Sequence, residues 1–316
     1  MSGKTSIAVI GSGYMAEEHI RAIQSLDGVE VVSISSRNTK TAAALAKRYG
    51  IYQVNSSVTE SYNEYHADGA VISVPELALP SVLEEATRFP WPLLVEKPIG
   101  IDLAAATALD ELVTQRGRSV FVALNRRHFA STRSVLQNLD DDGHTRFVQV
   151  LDQENELAAR ESGQPEEVIR NWMFANSIHI IDLIRLFCRG QVSQVSSELI
   201  WQLDECRAVN ANISFNSGDR ATYQGVWNVP GPWSCVVTEG KSRWEMRPLE
   251  SLSLLENGSR TPIAYDLGQI DVDFKPGLAV QAEQFINLIR GLQSTLPSVH
   301  DALQSMKLIE SIYHDL

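Results

Sequence analysis

Short apolar runs alternate with amphipathic stretches through the first third of the chain. Ile7-Ala8-Val9-Ile10 is of buried-strand type, and beyond a glycine turn Ala16, Ile20, Ile23 and Leu26 recur at helical spacing. The pattern then repeats, with apolar runs at 29–34, 69–74, 93–96 and 120–124 and helical patterns at 41–49, 79–88 and 102–116. Strands that alternate with helices predict βαβ units and a doubly wound parallel sheet.

Beyond about residue 145 the texture changes. Residues 146–152 alternate in strand fashion, 174–187 has a helical pattern, and β-type stretches follow at 208–215, 221–227, 234–238 and 242–247. Turn signals such as Asn216-Ser217-Gly218-Asp219 and Pro230-Gly231-Pro232 separate them. Strands that follow strands predict a mostly antiparallel open sheet with helices on one face. Two terminal helices are expected at 278–290 and 301–313, the second with Asp301 as N-cap. The expected organisation is α/β in two domains: 1–124 on the parallel sheet, and 125–316 on the antiparallel one.

Composition narrows the partners. A chain of 316 residues with 44% hydrophobic content can build two cores, and a formal charge of −12 argues against a general electrostatic attraction to nucleic acid or an anionic membrane. Cys188, Cys206 and Cys235 are odd in number and widely spaced, so they suggest reduced thiols rather than a disulfide framework or a metal site. The segment from Met1 to Ser6 has no apolar targeting core, and no run approaches the roughly 18 apolar residues of a membrane span. A cytoplasmic protein that meets small molecules and copies of itself is expected.

Three motifs carry chemistry. Gly11-Ser12-Gly13-Tyr14-Met15-Ala16 reads G-x-G-x-x-A between a strand and a helix, the dinucleotide-binding pattern. Gly11 permits the tight turn, Gly13 lets the backbone approach a pyrophosphate, and Ala16 keeps the helix close to the sheet; the other reading is a structural glycine turn. After the second strand, Ser36, Arg37 and Asn38 stand where a cofactor lacking the 2′-phosphate would usually meet an acid, so NADP is favoured over NAD. Arg37 could equally be a solvated loop residue or stack on adenine. Glu96-Lys97-Pro98 follows a parallel strand at the edge where open α/β sheets bind ligands. There Lys97 can hydrogen-bond a substrate oxygen and shuttle a proton, with Glu96 orienting it; a strand-end ion pair is the alternative.

With these motifs in place, the chain resembles the Gfo/Idh/MocA family of oxidoreductases, named for glucose-fructose oxidoreductase and inositol dehydrogenase. The resemblance spans essentially the whole length. It rests on Gly11 to Met15, Ser73-Val74-Pro75, Glu96-Lys97-Pro98, Asn125-Arg126-Arg127, His179-Ile180-Ile181-Asp182-Leu183 and the closing helix from Asp301 to Tyr313. It implies a Rossmann domain and an α/β domain whose open sheet often makes the oligomer interface, hence a homodimer or homotetramer. It also implies that the substrate, a sugar, cyclitol or related alcohol or ketone, lies between the domains.

Carried over by motif, Lys97 matches the family's catalytic lysine and His179 the histidine that acts as acid or base on the reacting hydroxyl. An imidazole suits proton transfer in both directions. The cofactor would meet Gly11, Ser12, Gly13, Tyr14, Met15, Ser36, Arg37, Asn38, Ser73, Val74, Pro75, Glu96, Lys97 and Asn125. Arg126, Arg127, Arg170, Asn171, Trp172 and Asn176 are candidates for gripping the substrate, each with a structural alternative. Asn176 and Asp182, three residues to either side of His179, would share its helix face and form a polar cleft wall. No metal site is expected.

Two departures matter. Many members carry an acid four residues before the histidine, where this chain has Ala175, and a histidine four after the proline of the fourth-strand motif, where it has Leu79. Both argue against an inositol-type substrate. They also keep open a non-catalytic dinucleotide-binding regulator; an NAD-dependent glycosidase is a further alternative.

Overall fold

The computed structural model describes residues 4–140, 143–200 and 207–313. In chain order the first elements are β1 (Thr5–Ile10), α1 (Tyr14–Gln24), β2 (Val29–Ser35), α2 (Thr39–Tyr49), β3 (Gln53–Asn55), α3 (Val58–Tyr65), β4 (Gly69–Ile72), α4 (Leu79–Ala86), β5 (Leu93–Val95), α5 (Leu103–Gln115) and β6 (Val120–Val122). Then come α6 (Ala130–Asn138), β7 (Phe147–Glu154), α7 (Glu156–Glu161), α8 (Glu166–Arg170), α9 (Ile178–Phe187), β8 (Val192–Ile200), β9 (Arg207–Phe215), β10 (Arg220–Trp227), β11 (Ser234–Glu239), β12 (Ser242–Met246), β13 (Ser253–Glu256) and β14 (Ile263–Ala264). The chain ends in α10 (Ile270–Asp273), α11 (Leu278–Ile289) and α12 (Val299–Ile312).

Two compact units result: residues 1–125 with 272–303, and residues 126–271 with 304–316. The expected second domain, 125–316, is therefore not one continuous segment. Leu278, Ala282, Phe285, Ile286 and Leu296 are built into the same core as Ile7, Val9, Ile20, Ile23 and Val71. Arg290 fastens α11 further by donating to Thr5 Oγ1 at 3.1 Å. An amphipathic helix goes where its apolar face finds cover, and here that cover is the first sheet's layer.

The first unit is a six-stranded parallel sheet in the order β3-β2-β1-β4-β5-β6. β1, β4 and β5 are buried almost throughout, which is why they read as unbroken apolar runs. The order reverses between β1 and β4, the place where doubly wound sheets open a crevice for ligands. The edge strand β3 and helix α3 were not among the expected elements. Three residues, only one of them buried, carry too little periodicity to show.

The second unit has an eight-stranded sheet in the order β14-β13-β12-β11-β7-β10-β9-β8. All its pairs are antiparallel except β7 with β10. β7 and β10 alternate between buried and exposed positions, and α9 packs on the buried face against β7 and β11. The helix expected over 174–187 starts as a π-helical turn, Met173–Ser177, before α9 takes over. Asp301 also differs from expectation. Its carboxylate accepts from the Ser298 backbone N–H at 2.9 Å while its own N–H donates to Ser298 Oγ at 3.1 Å. Ser298 is thus the cap of α12, and Asp301, the third residue of its first turn, is the partner in a reciprocal capping box.

Candidate active site

In the first unit, each expected cofactor residue from Gly11 onward follows the carboxyl end of a parallel strand or opens the helix after it. Ile10 pairs in register with Ser35 and Ile72, and Ile72 with Val95, so these strand ends lie side by side. Backbone bonds continue past them: Gly11 N–H to Ser35 O at 2.8 Å, Ser73 N–H to Ile10 O at 2.7 Å and Glu96 N–H to Ile72 O at 2.9 Å. The result is one polar edge built from Gly11, Ser36, Ser73 to Pro75, Glu96 and Lys97. Asn125, after β6, is tied down by donating to Pro276 O at 2.9 Å.

The glycines of the first turn differ in what holds them. Gly11 has φ +123°, and a Cβ there would fall 1.8 Å from the carbonyl oxygen of Ser73. At Gly13, the N-cap of α1, an added Cβ would meet nothing within 4 Å. Packing within the unit therefore explains Gly11 and leaves Gly13 without a structural reason. The helix start is itself bare. Asn38, Ser57 and Asp102 cap α2, α3 and α5 with side-chain oxygens, whereas α1 has no side-chain cap. Its first N–H groups and positive dipole end are left to an anion, which fits a pyrophosphate. Ser12 Oγ lies 2.9 Å from Ser36 Oγ and 2.7 Å from Thr41 Oγ1, which joins this turn to the β2–α2 loop. Arg37 is exposed in that loop. Tyr14 is 65% exposed with Lys275 Nζ 5.4 Å from its ring centre, and Met15 packs against the core.

Glu96 has a partner that was not anticipated. His19 of α1, 1% exposed, places Nε2 2.9 Å from Glu96 Oε1, and Oε2 accepts the backbone N–H of Lys97 at 3.3 Å. Glu96 thereby fixes the chain at Lys97 through its main chain. Lys97 is partly buried, and its peptide with Pro98 is cis.

In the second unit, His179 sits in the first turn of α9 and is 7% exposed. The expected polar face around it is corrected by the structure. Asp182 is 1% exposed and receives Arg127 Nε and NH2 at 2.6 and 2.7 Å and Ser305 Oγ at 2.6 Å. Burial pushes its carboxyl up, but Arg127 and Ser305 outweigh burial and hold it below the usual range. Asp182 and Arg127 are thus an internal pair and not a cleft wall. The π-helical turn also shifts the spacing by one residue, so Asn176 faces β7 with Trp172. Trp172 Nε1 and Asn176 Nδ2 both donate to Glu154 Oε2, at 2.7 and 2.8 Å.

The Arg126 guanidinium lies over the Trp233 ring, its carbon 4.5 Å from the ring centre, with its buried Nε unpartnered. Burial brings it down to about 10 against the attraction of Glu250, Glu154 and Asp152. Arg170 is exposed near Glu166 at 3.9 Å, and Asn171 donates to Glu167 O at 3.1 Å. Glu154, Asp152, Trp233 and His19 were missed by sequence reasoning. Only the acids left a signal: on the buried face of β7 the alternation Val148, Val150 runs on into Asp152 and Glu154. Cys188 and Cys235 are buried thiols, and Cys206 lies outside the described residues. Among the described residues no helix is long and apolar enough to cross a membrane, and no cluster of three potential ligands could hold a metal.

Residues 5–124 match the family model described as an oxidoreductase family with an NAD-binding Rossmann fold. Over these residues the chain carries the NAD-binding Rossmann domain of the Gfo/Idh/MocA oxidoreductases. A 4-carboxy-2-hydroxymuconate-6-semialdehyde dehydrogenase of Sphingobium sp. is 22% identical over 312 residues, 96% of each chain. Inositol 2-dehydrogenase 1 of Paenarthrobacter aurescens is 22% identical over 200 residues, 63% of this chain and 58% of its own length. A dehydrogenase of Chromobacterium violaceum superposes with a TM-score of 0.85 at 18% identity, covering 99% of this chain and 95% of that one. That likeness concerns the fold.

Proposed function

We propose that this chain is a Gfo/Idh/MocA-type enzyme, an NADP-preferring dehydrogenase or reductase that acts on a hydroxyl or ketone carbon of a sugar, cyclitol or sugar derivative. The observation that supports the reading is the shared strand edge: a bare helix start behind Gly13 and Lys97 both follow carboxyl ends of strands in one parallel sheet. The dehydrogenase names of the two relatives support the reaction class. When bound, the nicotinamide supplies or accepts a hydride.

The chain's own residues supply binding and proton transfer. Backbone N–H groups at the start of α1 and Ser12 hold the pyrophosphate, and Ser36, Arg37 and Asn38 meet the 2′-phosphate, which a guanidinium can engage with two parallel bonds. Ser73, Val74, Pro75 and Asn125 line the same edge. Lys97 donates to the substrate oxygen, and His179 takes or returns the hydroxyl proton. Arg126, stiffened by Trp233, grips a polar or anionic group of the substrate together with Trp172, Asn176, Arg170 and Asn171. The outer face of the second sheet, with Phe147 55% exposed on β7, serves homodimer or homotetramer formation in the cytoplasm. A panel of sugars, sugar nucleotides and keto sugars, followed by NADPH absorbance, tests the reading. Absence of turnover with the whole panel, together with tight dinucleotide binding, would point to a regulator instead.

A further inference from the structure

Beneath the candidate substrate residues lies a buried pair of acids with no role in the proposed proton transfer. Asp152 and Glu154 point to the same face of β7 and are each 1% exposed. A strand places residues i and i+2 on one side, so two carboxyl groups meet away from water. Burial raises both carboxyl groups, and the charge of Asp152 raises Glu154 further. Two buried carboxylates repel, and neither can donate; one proton between them removes both difficulties.

The surroundings say where that proton sits. A directional chain ends on Asp152: Trp227 Nε1 donates to Tyr313 Oη at 3.3 Å, the Tyr313 and Tyr223 hydroxyls lie 2.8 Å apart, and Tyr223 Oη donates to Asp152 Oδ2 at 2.7 Å. Donors aimed at Asp152 favour its ionised form. Its other oxygen, Oδ1, is buried without a hydrogen-bond partner, although the Ser177 hydroxyl also bears on this carboxyl, and a carboxylic O–H from Glu154 would fill the place. On Glu154, Oε2 already takes the two N–H donors of Trp172 and Asn176, while Oε1 has only Ser177 Oγ, at 3.2 Å. Burial first, and then the charge of Asp152, push Glu154 well above the ordinary carboxyl range.

Glu154 also fixes local structure. Trp172, Asn176 and Ser177 are spaced four and five residues apart, the spacing that a π-helical turn brings to one side, and all three side chains meet this one carboxyl. His179 follows two residues later.

We propose that Asp152 and Glu154 form a one-proton carboxyl pair that positions the π-helical turn Met173–Ser177, and through it Asn176 and His179, for the reaction. Its link to catalysis rests on the dehydrogenase reading above. The groups that bear on the pair are Tyr223 of β10, Tyr313 after α12 and Arg126 before α6, with Glu250 acting on Arg126. The tyrosines are pushed up by burial and stay protonated, and Arg126 stays charged near neutrality.

The test follows the Trp172 indole N–H in 15N-labelled protein from about pH 5 to about pH 9, assigned with W172F, in the wild type, E154Q and E154A. Glutamine can accept from Trp172 and Asn176 and donate to Asp152, so E154Q imitates the protonated acid. The wild-type indole signal should titrate and the E154Q signal should stay flat. In parallel, E154A should lower kcat/KM about tenfold or more. E154Q should restore most of that loss while its pH profile lacks one wild-type ionisation. A wild-type indole that does not titrate, or one that titrates unchanged in E154Q, overturns the pair. Kinetic profiles with the same ionisations in wild type and E154Q overturn its positioning role. If wild type turns over no substrate, the dehydrogenase reading fails, and the indole titration still decides the pair.

Discussion

Replacing each glycine of the first turn by alanine separates folding from ligand binding. At Gly11 the added methyl would stand 1.8 Å from the Ser73 carbonyl oxygen and 2.7 Å from its carbon, in a backbone with φ +123°. Both obstacles are main chain. Relief requires β1 and β4 to part at their ends, where Gly11 N–H holds Ser35 O and Ser73 N–H holds Ile10 O. The left-handed conformation costs roughly 1–2 kcal/mol, forced overpacking roughly 1–3, and each loosened hydrogen bond about 1. A loss of about 4 kcal/mol follows, a large part of a typical stability of roughly 5–15 kcal/mol. Gly13 is the contrast: φ is −86° and an added methyl meets nothing within 4 Å, so Gly13→Ala should cost under about 1 kcal/mol. Yet that methyl would occupy the space through which a pyrophosphate reaches the bare N–H groups of α1. Losing one such charge-assisted bond is worth roughly 1.5–3 kcal/mol, or about 10- to 100-fold in affinity. Urea denaturation and titration with NADPH and NADH read both effects. Gly13→Ala with wild-type dinucleotide affinity, or Gly11→Ala with wild-type stability, would refute the reasoning.

Other outcomes are equally open to measurement. Lys97→Ala and His179→Ala should each lower turnover by roughly 10²–10⁴ while dinucleotide binding persists, and retained turnover would remove the proton-transfer assignment. Arg37→Ala should weaken NADPH about 10- to 100-fold and NADH little, so equal losses for the two would argue against a 2′-phosphate contact. Asp219 should govern part of the acid limb of stability. Burial pushes its carboxyl up, but bonds from the Arg189 side chain and from the Arg146 and Arg189 N–H groups outweigh burial and bring it down to about 2. A lowered carboxyl stabilises above its unfolded value near 3.9 and loses that contribution as pH falls toward 2. Asp219→Asn should be less stable at neutral pH and should lack the wild-type decline over that window.

The parallel sheet was legible because burial on both faces leaves unbroken apolar runs, and five of its six strands stood out in this way. The strand-edge residues were legible for a related reason. Once a strand ends, the next residues of a doubly wound sheet stand at the ligand edge, so Gly11, Ser36 and Lys97 follow from strand boundaries, while Ser73 came from the family resemblance. The second unit was harder to read. The pattern places β7 and β9 to β12 to within two residues, but it gives no bounds for β8, β13 and β14, does not show α6, α7 and α8, and reads the turn before His179 as ordinary helix. One residue of π-helical spacing is invisible to a periodicity of 3.6, yet it turned Asn176 toward Glu154 and left Asp182 to Arg127.

Local patterning by itself determined the fold class and the dinucleotide turn, since each depends on spacing along a single strand or helix, whereas His179 and the catalytic role of Lys97 came from the resemblance to a family. Tertiary structure alone decided which polar groups meet. Glu154 faces Trp172 across 18 residues, Glu96 faces His19 across 77 and Asp182 faces Ser305 across 123. It also sent α11 back to the first core. Such choices rest on burying apolar faces and on satisfying buried charges with distant partners, and neither leaves a period in the chain.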